Sequence, residues 1–139
     1  MEQDRSRKIA SIVAVAPELL NGVYGGSKAF VLALSQSMHH ELADKGVKVQ
    51  AVLPGATATE FWPVAGSAVE NLPKDWVMSA EDMVDASLAG FDAGELVTIP
   101  SVETTALVDG LEAARRALFP ELSKSVPASR YAVKGKVAA

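Results

Sequence analysis

The sequence predicts an α/β fold of three parallel strands joined by crossover helices. Three observations carry this. Short runs rich in Ile and Val alternate with segments of helical spacing. Each intervening helix is long enough to be a right-handed crossover, so the strands it joins lie parallel. Gly and Pro stand where those elements stop.

In chain order, Ile9 to Val15 reads as a strand buried on both faces. Ala16 to Gly22 reads as a loop. A helix is expected over about Val23 to Asp44, with Phe30, Leu34, Met38 and Leu42 recurring every four residues beside Val31. Gly46 stands where a helix C-terminal cap belongs. Val47 to Leu53 is the second strand, stopped by Pro54-Gly55. From Ala56 to Met78 the periodicity is lost, and Pro63, Gly66 and Pro73 with Trp62 and Trp76 predict a long surface loop. Ser79 opens the next helix, whose apolar face is Met83, Val84, Leu88 and Phe91. Gly94 ends it, and Glu95 to Pro100 is the third strand. Ser101 is expected to cap a last helix to about Leu118, followed by a polar tail.

The bulk numbers exclude several classes. Of 139 residues, 49% are hydrophobic and 22% charged, a globular composition. The formal net charge is -4 and no helix carries a basic stripe, which argues against nucleic acid. With no cysteine, disulfides and thiolate metal sites are excluded, in keeping with a cytoplasmic protein. No apolar stretch reaches the length of a membrane span, and the charged start, Met1 to Lys8, is not of signal-peptide form. His39 and His40 are adjacent, so on a helix they point about 100° apart; no metal site is expected there.

The chemistry concentrates in Val23-Tyr24-Gly25-Gly26-Ser27-Lys28. Tyr24 and Lys28 fall one helical turn apart on one face, where an ammonium beside a phenol favours proton exchange. Ser11 lies upstream, on the first apolar run. A hydroxyl, a phenol and an ammonium together are what carbonyl reduction or alcohol oxidation needs. In parallel sheets ligands sit beyond the carboxyl ends of strands, and Ser11, Tyr24 and Pro54-Gly55 can converge on that edge. Taken singly, each has an ordinary reading. Tyr24 and Lys28 could be a helix pair with a solvated ammonium, and Ser11 a strand-end hydroxyl. Thr57 and Thr59 could be caps, and Pro54-Gly55 a strand stop. Trp62 and Trp76 could wall a substrate pocket or anchor the loop.

With Ser11, the Tyr-x-x-x-Lys of Tyr24 and Lys28, and Pro54-Gly55-Ala56-Thr57-Ala58-Thr59 in this order, the chain resembles the short-chain dehydrogenase/reductase family. The resemblance runs from residue 9 to about 131 and covers the C-terminal half of the family's domain. The family's Gly-rich pyrophosphate turn, its Asn-Ala-Gly motif and its catalytic Asn have no counterpart. It implies a partial, doubly wound Rossmann-type fold. Residues 1–139 would form one domain, with a core at 8–100, a C-terminal helix at 101–119 and a tail at 120–139. It implies hydride transfer between NAD or NADP, which the sequence does not distinguish, and a small carbonyl or alcohol substrate. By resemblance Tyr24 is the general acid/base, Ser11 holds the substrate oxygen, and Lys28 holds the nicotinamide ribose. Pro54, Gly55, Thr57 and Thr59 would grip the nicotinamide carboxamide. The long helix is similar to the family's subunit-contact helix, so a homo-oligomer is expected, as is self-association through an exposed Ile12–Val15 edge. The other class of reading is a non-catalytic remnant or binding module.

Overall fold

The computed structural model describes residues 4–58 and 72–133. The chain divides into two compact units, Met1–Val102 and Glu103–Ala139. The first contains strands β1 (Arg5–Ile9), β2 (Lys48–Val52), β3 (Thr57–Ala58), β4 (Met78–Ser79) and β5 (Val97–Thr98), and helices α1 (Gly22–Leu42) and α2 (Ala80–Asp92). The main sheet runs in the order β1-β2-β5, all parallel, with Arg5 opposite Lys48, Ile9 opposite Val52, and Ala51 opposite Val97. The parallel α/β expectation holds. A second, smaller pairing joins β3 to β4, also parallel. It falls within the segment read from sequence as loop.

β2 is the centre of the core. Val49, Gln50, Ala51, Val52 and Leu53 are all buried, as a strand covered on both faces requires. Ala10, Ala51 and Leu53 form a cluster to which Val31 and Leu32 of α1 add partly buried side chains. On the opposite face Gln50 donates to the Ser87 carbonyl of α2 at 2.9 Å and to Thr98 Oγ1 of β5 at 2.8 Å.

The first strand is displaced from its expected span. It covers Arg5–Ile9, and the run Ile12–Ala14 is a 3-10 turn. Ser11 is the reason: its Oγ accepts the Val13 N–H at 3.3 Å, and such a side-chain bond gives the backbone an alternative to the ladder. The charged residues ahead of the expected strand, Arg5 to Lys8, belong to the strand itself. The Arg7 guanidinium lies 4.1 Å and the Lys48 ammonium 4.2 Å from the centroid of the buried Phe91 ring, so their stems roof an apolar residue while their charges stay wet. The expected edge at Ile12–Val15 is therefore absent. Those amides are bonded within the turn or to Pro54, and the edge strands of the main sheet among the described residues are β1 and β5.

α1 confirms the long helix but turns a different face inward. Gly25 and Ser35 are its buried residues, while Phe30 is 65% and Leu34 39% exposed. Gly25 lets the start of the helix lie against Pro17, and the Ser35 hydroxyl satisfies itself on the Val31 carbonyl at 2.8 Å. α2 behaves alike: Ser87, Gly90 and Phe91 are buried, whereas Val84 and Leu88 are exposed. Ser79 caps α2 by accepting the Asp82 N–H at 3.1 Å. Gly46 closes the turn after α1 at φ 76, a left-handed conformation that glycine adopts without a Cβ penalty.

The second unit holds α3 (Thr105–Ala117), capped by Thr104 and not by Ser101. Thr104 is three residues nearer the helix and accepts the Ala106 N–H at 3.2 Å. Glu112 and Arg115 form a two-pronged pair on α3, and that hydrogen bond holds the guanidinium above its ordinary value. The residues read as tail include short 3-10 turns at Phe119–Glu121 and Ser129–Tyr131.

Candidate active site

β1 and β2 run parallel, so their carboxyl ends, Ile9 and Val52, lie at the same edge. The chain leaves that edge twice. After β1 the backbone passes Ala10 into the turn capped by Ser11; after β2 it passes Leu53 into Pro54-Gly55. A hydrogen bond from the Ile12 N–H to the Pro54 carbonyl at 3.1 Å ties the two turns together. The Ile12 side chain also closes on Gly55, where a Cβ would lie 3.7 Å from Cδ1. Ser11 and Pro54-Gly55 are thus brought together, as the sequence predicts. Ser11 spends one lone pair on the Val13 amide and keeps a hydroxyl proton to donate.

Tyr24 and Lys28 stand in the first turns of α1, and both are half-buried. The Lys28 Nζ lies 5.6 Å from the Tyr24 ring centroid, the spacing expected one turn apart on one face. α1 packs against both 3-10 turns, Ile12–Ala14 and Pro17–Leu19. The helix bearing the phenol and ammonium therefore rests on the turn that Ser11 caps.

The far side of Pro54-Gly55 is also fixed. The Ala56 carbonyl accepts the Met78 N–H at 2.9 Å. Thr57 is buried on β3, and its hydroxyl donates to the Gly55 carbonyl at 3.1 Å. Thr59 and Trp62 lie outside the described residues. Trp76 is 67% exposed, on the 3-10 turn that leads into β4.

Three groups around Tyr24 escaped the sequence reading. Asn21 is the N-cap of α1, and its Oδ1 accepts the Tyr24 N–H at 2.9 Å. The Ser27 hydroxyl donates to the Tyr24 carbonyl at 2.7 Å. Pro17 lies directly against Gly25. The signal for Asn21 was available, since Asn is a favoured cap and precedes the first helical residue.

Such an arrangement can hold an oxygen substituent and pass it a proton. Ser11 offers a donor, Tyr24 a phenol, and Lys28 a cation, all on elements that meet beyond the strand ends. Among the described residues no helix is long and apolar enough to cross a membrane.

Comparison with known proteins gives the family. Residues 8–69 match the sequence profile described as short chain dehydrogenase. A solved short-chain dehydrogenase from Sphingobium yanoikuyae, in complex with NADPH, is 46% identical with a TM-score of 0.84, over 91% of this chain and 49% of that one. A bulky-bulky ketone specific alcohol dehydrogenase from Comamonas testosteroni is 42% identical with a TM-score of 0.75, over 91% of this chain and 46% of that one. Estradiol 17-beta-dehydrogenase 8 of Callithrix jacchus is 33% identical over 93 residues, which are 62% of this chain and 69% of that protein. The chain spans about half the length of the two structures, and the 51–53 residues it shares with several bacterial relatives cover 21–22% of theirs. Profile, relatives and structures agree: the chain belongs to the short-chain dehydrogenase/reductase family.

Proposed function

We propose that the edge formed by Ser11, Tyr24, Lys28 and Pro54-Gly55 is the catalytic half of an NAD(P)-dependent oxidoreductase acting on a carbonyl or alcohol. The observation that carries it is the Lys28 ammonium held 5.6 Å from the Tyr24 ring, on a helix packed against the Ser11 turn. The NADPH complex of the Sphingobium relative supports the choice of cofactor class.

The residues present fit the nicotinamide half of such a cofactor. An ammonium suits ribose hydroxyls. The amides that follow Pro54-Gly55, with Thr57 and Thr59, suit a carboxamide. No Gly-rich strand-to-helix turn for a pyrophosphate occurs in the sequence. When bound, the cofactor supplies or accepts the hydride.

The chain's own residues do the rest. In reduction the Tyr24 phenol gives its proton to the substrate oxygen, and in oxidation it takes that proton back. The Ser11 hydroxyl donates a hydrogen bond to the same oxygen, which strengthens as negative charge develops there. Lys28 holds the ribose and keeps a positive charge beside the phenol. The ketone specificity of the Comamonas relative supports ketones with bulky groups on both sides as the first substrates to try.

The test is NADPH titration by calorimetry, followed by NADPH-dependent reduction of a bulky ketone by the wild type and Tyr24→Phe. Loss of the proton donor is expected to slow turnover by about 10²–10⁴-fold, with the melting temperature unchanged. No heat of binding at millimolar NADH or NADPH would favour a non-catalytic binding module. The same reading places the chain in the cytoplasm and has it self-associate along the outer side of β1; a monodisperse monomer by light scattering would contradict the latter.

A further inference from the structure

We infer that Asn21, Pro17 and Gly25 are positioning residues for Tyr24, locking its ring to the same rigid block that carries Ser11. The inference deepens the proposed function and rests on Tyr24 being the proton donor there.

Tyr24 is the third residue of α1. Its N–H is one of those at a helix start that have no partner within the helix. The turn is also poorly made for a helix, because Gly22, Gly25 and Gly26 stand in or beside it and glycine is among the worst helix formers. Left alone, such a turn frays. Asn21 prevents this from two sides: its Oδ1 accepts the Tyr24 N–H at 2.9 Å, and its carbonyl accepts the Gly25 N–H at 3.0 Å. Ser27 closes the other side on the Tyr24 carbonyl.

The second hold is steric. Gly25 is buried, and a Cβ there would stand 3.0 Å from Pro17 Cβ and 3.3 Å from Pro17 Cα. The pyrrolidine ring is stiff, so it sets how near the helix can come. Pro17 follows Ala16, whose N–H bonds the Ile12 carbonyl at 3.0 Å, inside the turn that Ser11 caps. A short, stiff path thus runs from the Ser11 turn through Pro17 and Gly25 to Tyr24. The glycine is needed because the two backbones touch, and the asparagine because the glycines leave the turn weak.

The chain has two tyrosines, Tyr24 and Tyr131, which makes the test direct. The full chain is labelled with ring-¹³C tyrosine and Tyr131→Phe assigns the two signals. Without cofactor, Asn21→Ala and Gly25→Ala are expected to shift or broaden the Tyr24 signal and leave that of Tyr131 in place. Asn21→Ser, which keeps a capping oxygen, should restore the wild-type Tyr24 signal. With NADPH and a ketone, kcat should fall about tenfold in Asn21→Ala and Gly25→Ala while KM stays within about twofold, as a small misplacement of a proton donor requires. An unmoved Tyr24 signal in both variants overturns the inference, whatever the kinetics. Should Gly25→Ala not fold, Asn21→Ala alone decides. A Tyr24 signal that moves in the variants, in a wild type whose ring ignores NADPH, supports the positioning and sinks the oxidoreductase reading.

Discussion

Gly90→Ala provides a severe test of how tightly α2 meets the sheet. Gly90 is buried, and an added Cβ would lie 2.5 Å from Thr98 Oγ1, 2.6 Å from Glu95 Oε1 and 2.8 Å from Thr98 Cγ2. Glu95 can swing aside. Thr98 cannot do so freely: it is β-branched, 4% exposed and on β5. Its hydroxyl accepts from Gln50 Nε2 at 2.8 Å and donates to Glu95 Oε1 at 3.1 Å, so displacing it strands a buried donor. Overpacking costs about 1–3 kcal/mol, and an orphaned buried polar group about 1–3 kcal/mol more. Alanine returns up to about 1 kcal/mol as the better helix former. The expected net loss is about 3 kcal/mol, which lowers the melting temperature of a unit this size by roughly 12–24 °C. Gly26→Ala is the control. It lies in a helix of the same unit with nothing within 4 Å of the added Cβ, so only the propensity term acts, and stability should rise by about 0.5–1 kcal/mol. Urea unfolding followed by circular dichroism reads both. A Gly90→Ala variant as stable as the wild type, or a Gly26→Ala variant that loses as much, would refute the packing argument.

Three smaller perturbations probe other joints. Ser79→Ala removes the cap that accepts the Asp82 N–H and should cost about 1 kcal/mol in the same urea assay. Gln50→Met keeps the buried volume and removes Gln50 Oε1, which finds no hydrogen-bond partner among the described residues, but it also removes the Nε2 donor to the Ser87 carbonyl and Thr98 Oγ1. The loss should be about 1–3 kcal/mol, and Gln50→Ala, which adds a cavity, should lose more. Glu112→Gln breaks the pair with Arg115. Both side chains are about a third exposed, so the loss should stay below about 1 kcal/mol and shrink further in 1 M salt.

What could be read in the sequence followed from local rules. The alternation of Ile/Val runs with helical spacing revealed the parallel sheet, because a strand covered on both faces, such as Val49 to Leu53, is mostly apolar, its one polar side chain, Gln50, being hydrogen-bonded. The candidate site could be named because Tyr24 and Lys28 obey helical spacing and because Pro54-Gly55 stops a strand. What was missed depended on tertiary contact. The strand at Arg5–Ile9 was not expected, since no local signal says that a distant Phe91 will lie beneath Arg5 and Arg7. The inward face of α1 was misjudged for a related reason. Spacing alone favoured Phe30 and Leu34, but the buried positions are Gly25, which lies against Pro17, and Ser35, whose hydroxyl bonds its own helix. Ser11 was placed on a strand because its neighbours are apolar; its own hydroxyl, bonding two residues ahead, ends the ladder instead.

The pairing pattern of the main sheet also dictates the order in which the chain can assemble. Arg5 meets Lys48, and Ala51 meets Val97, so each ladder closes a loop that encloses an entire helix. No neighbouring strands of that sheet can zip up as a hairpin. Closure entropy must be met before the first rung forms, and high contact order slows the search. α1 and α2, whose bonds are local, are therefore expected to gain structure before the two ladders that involve β2 close.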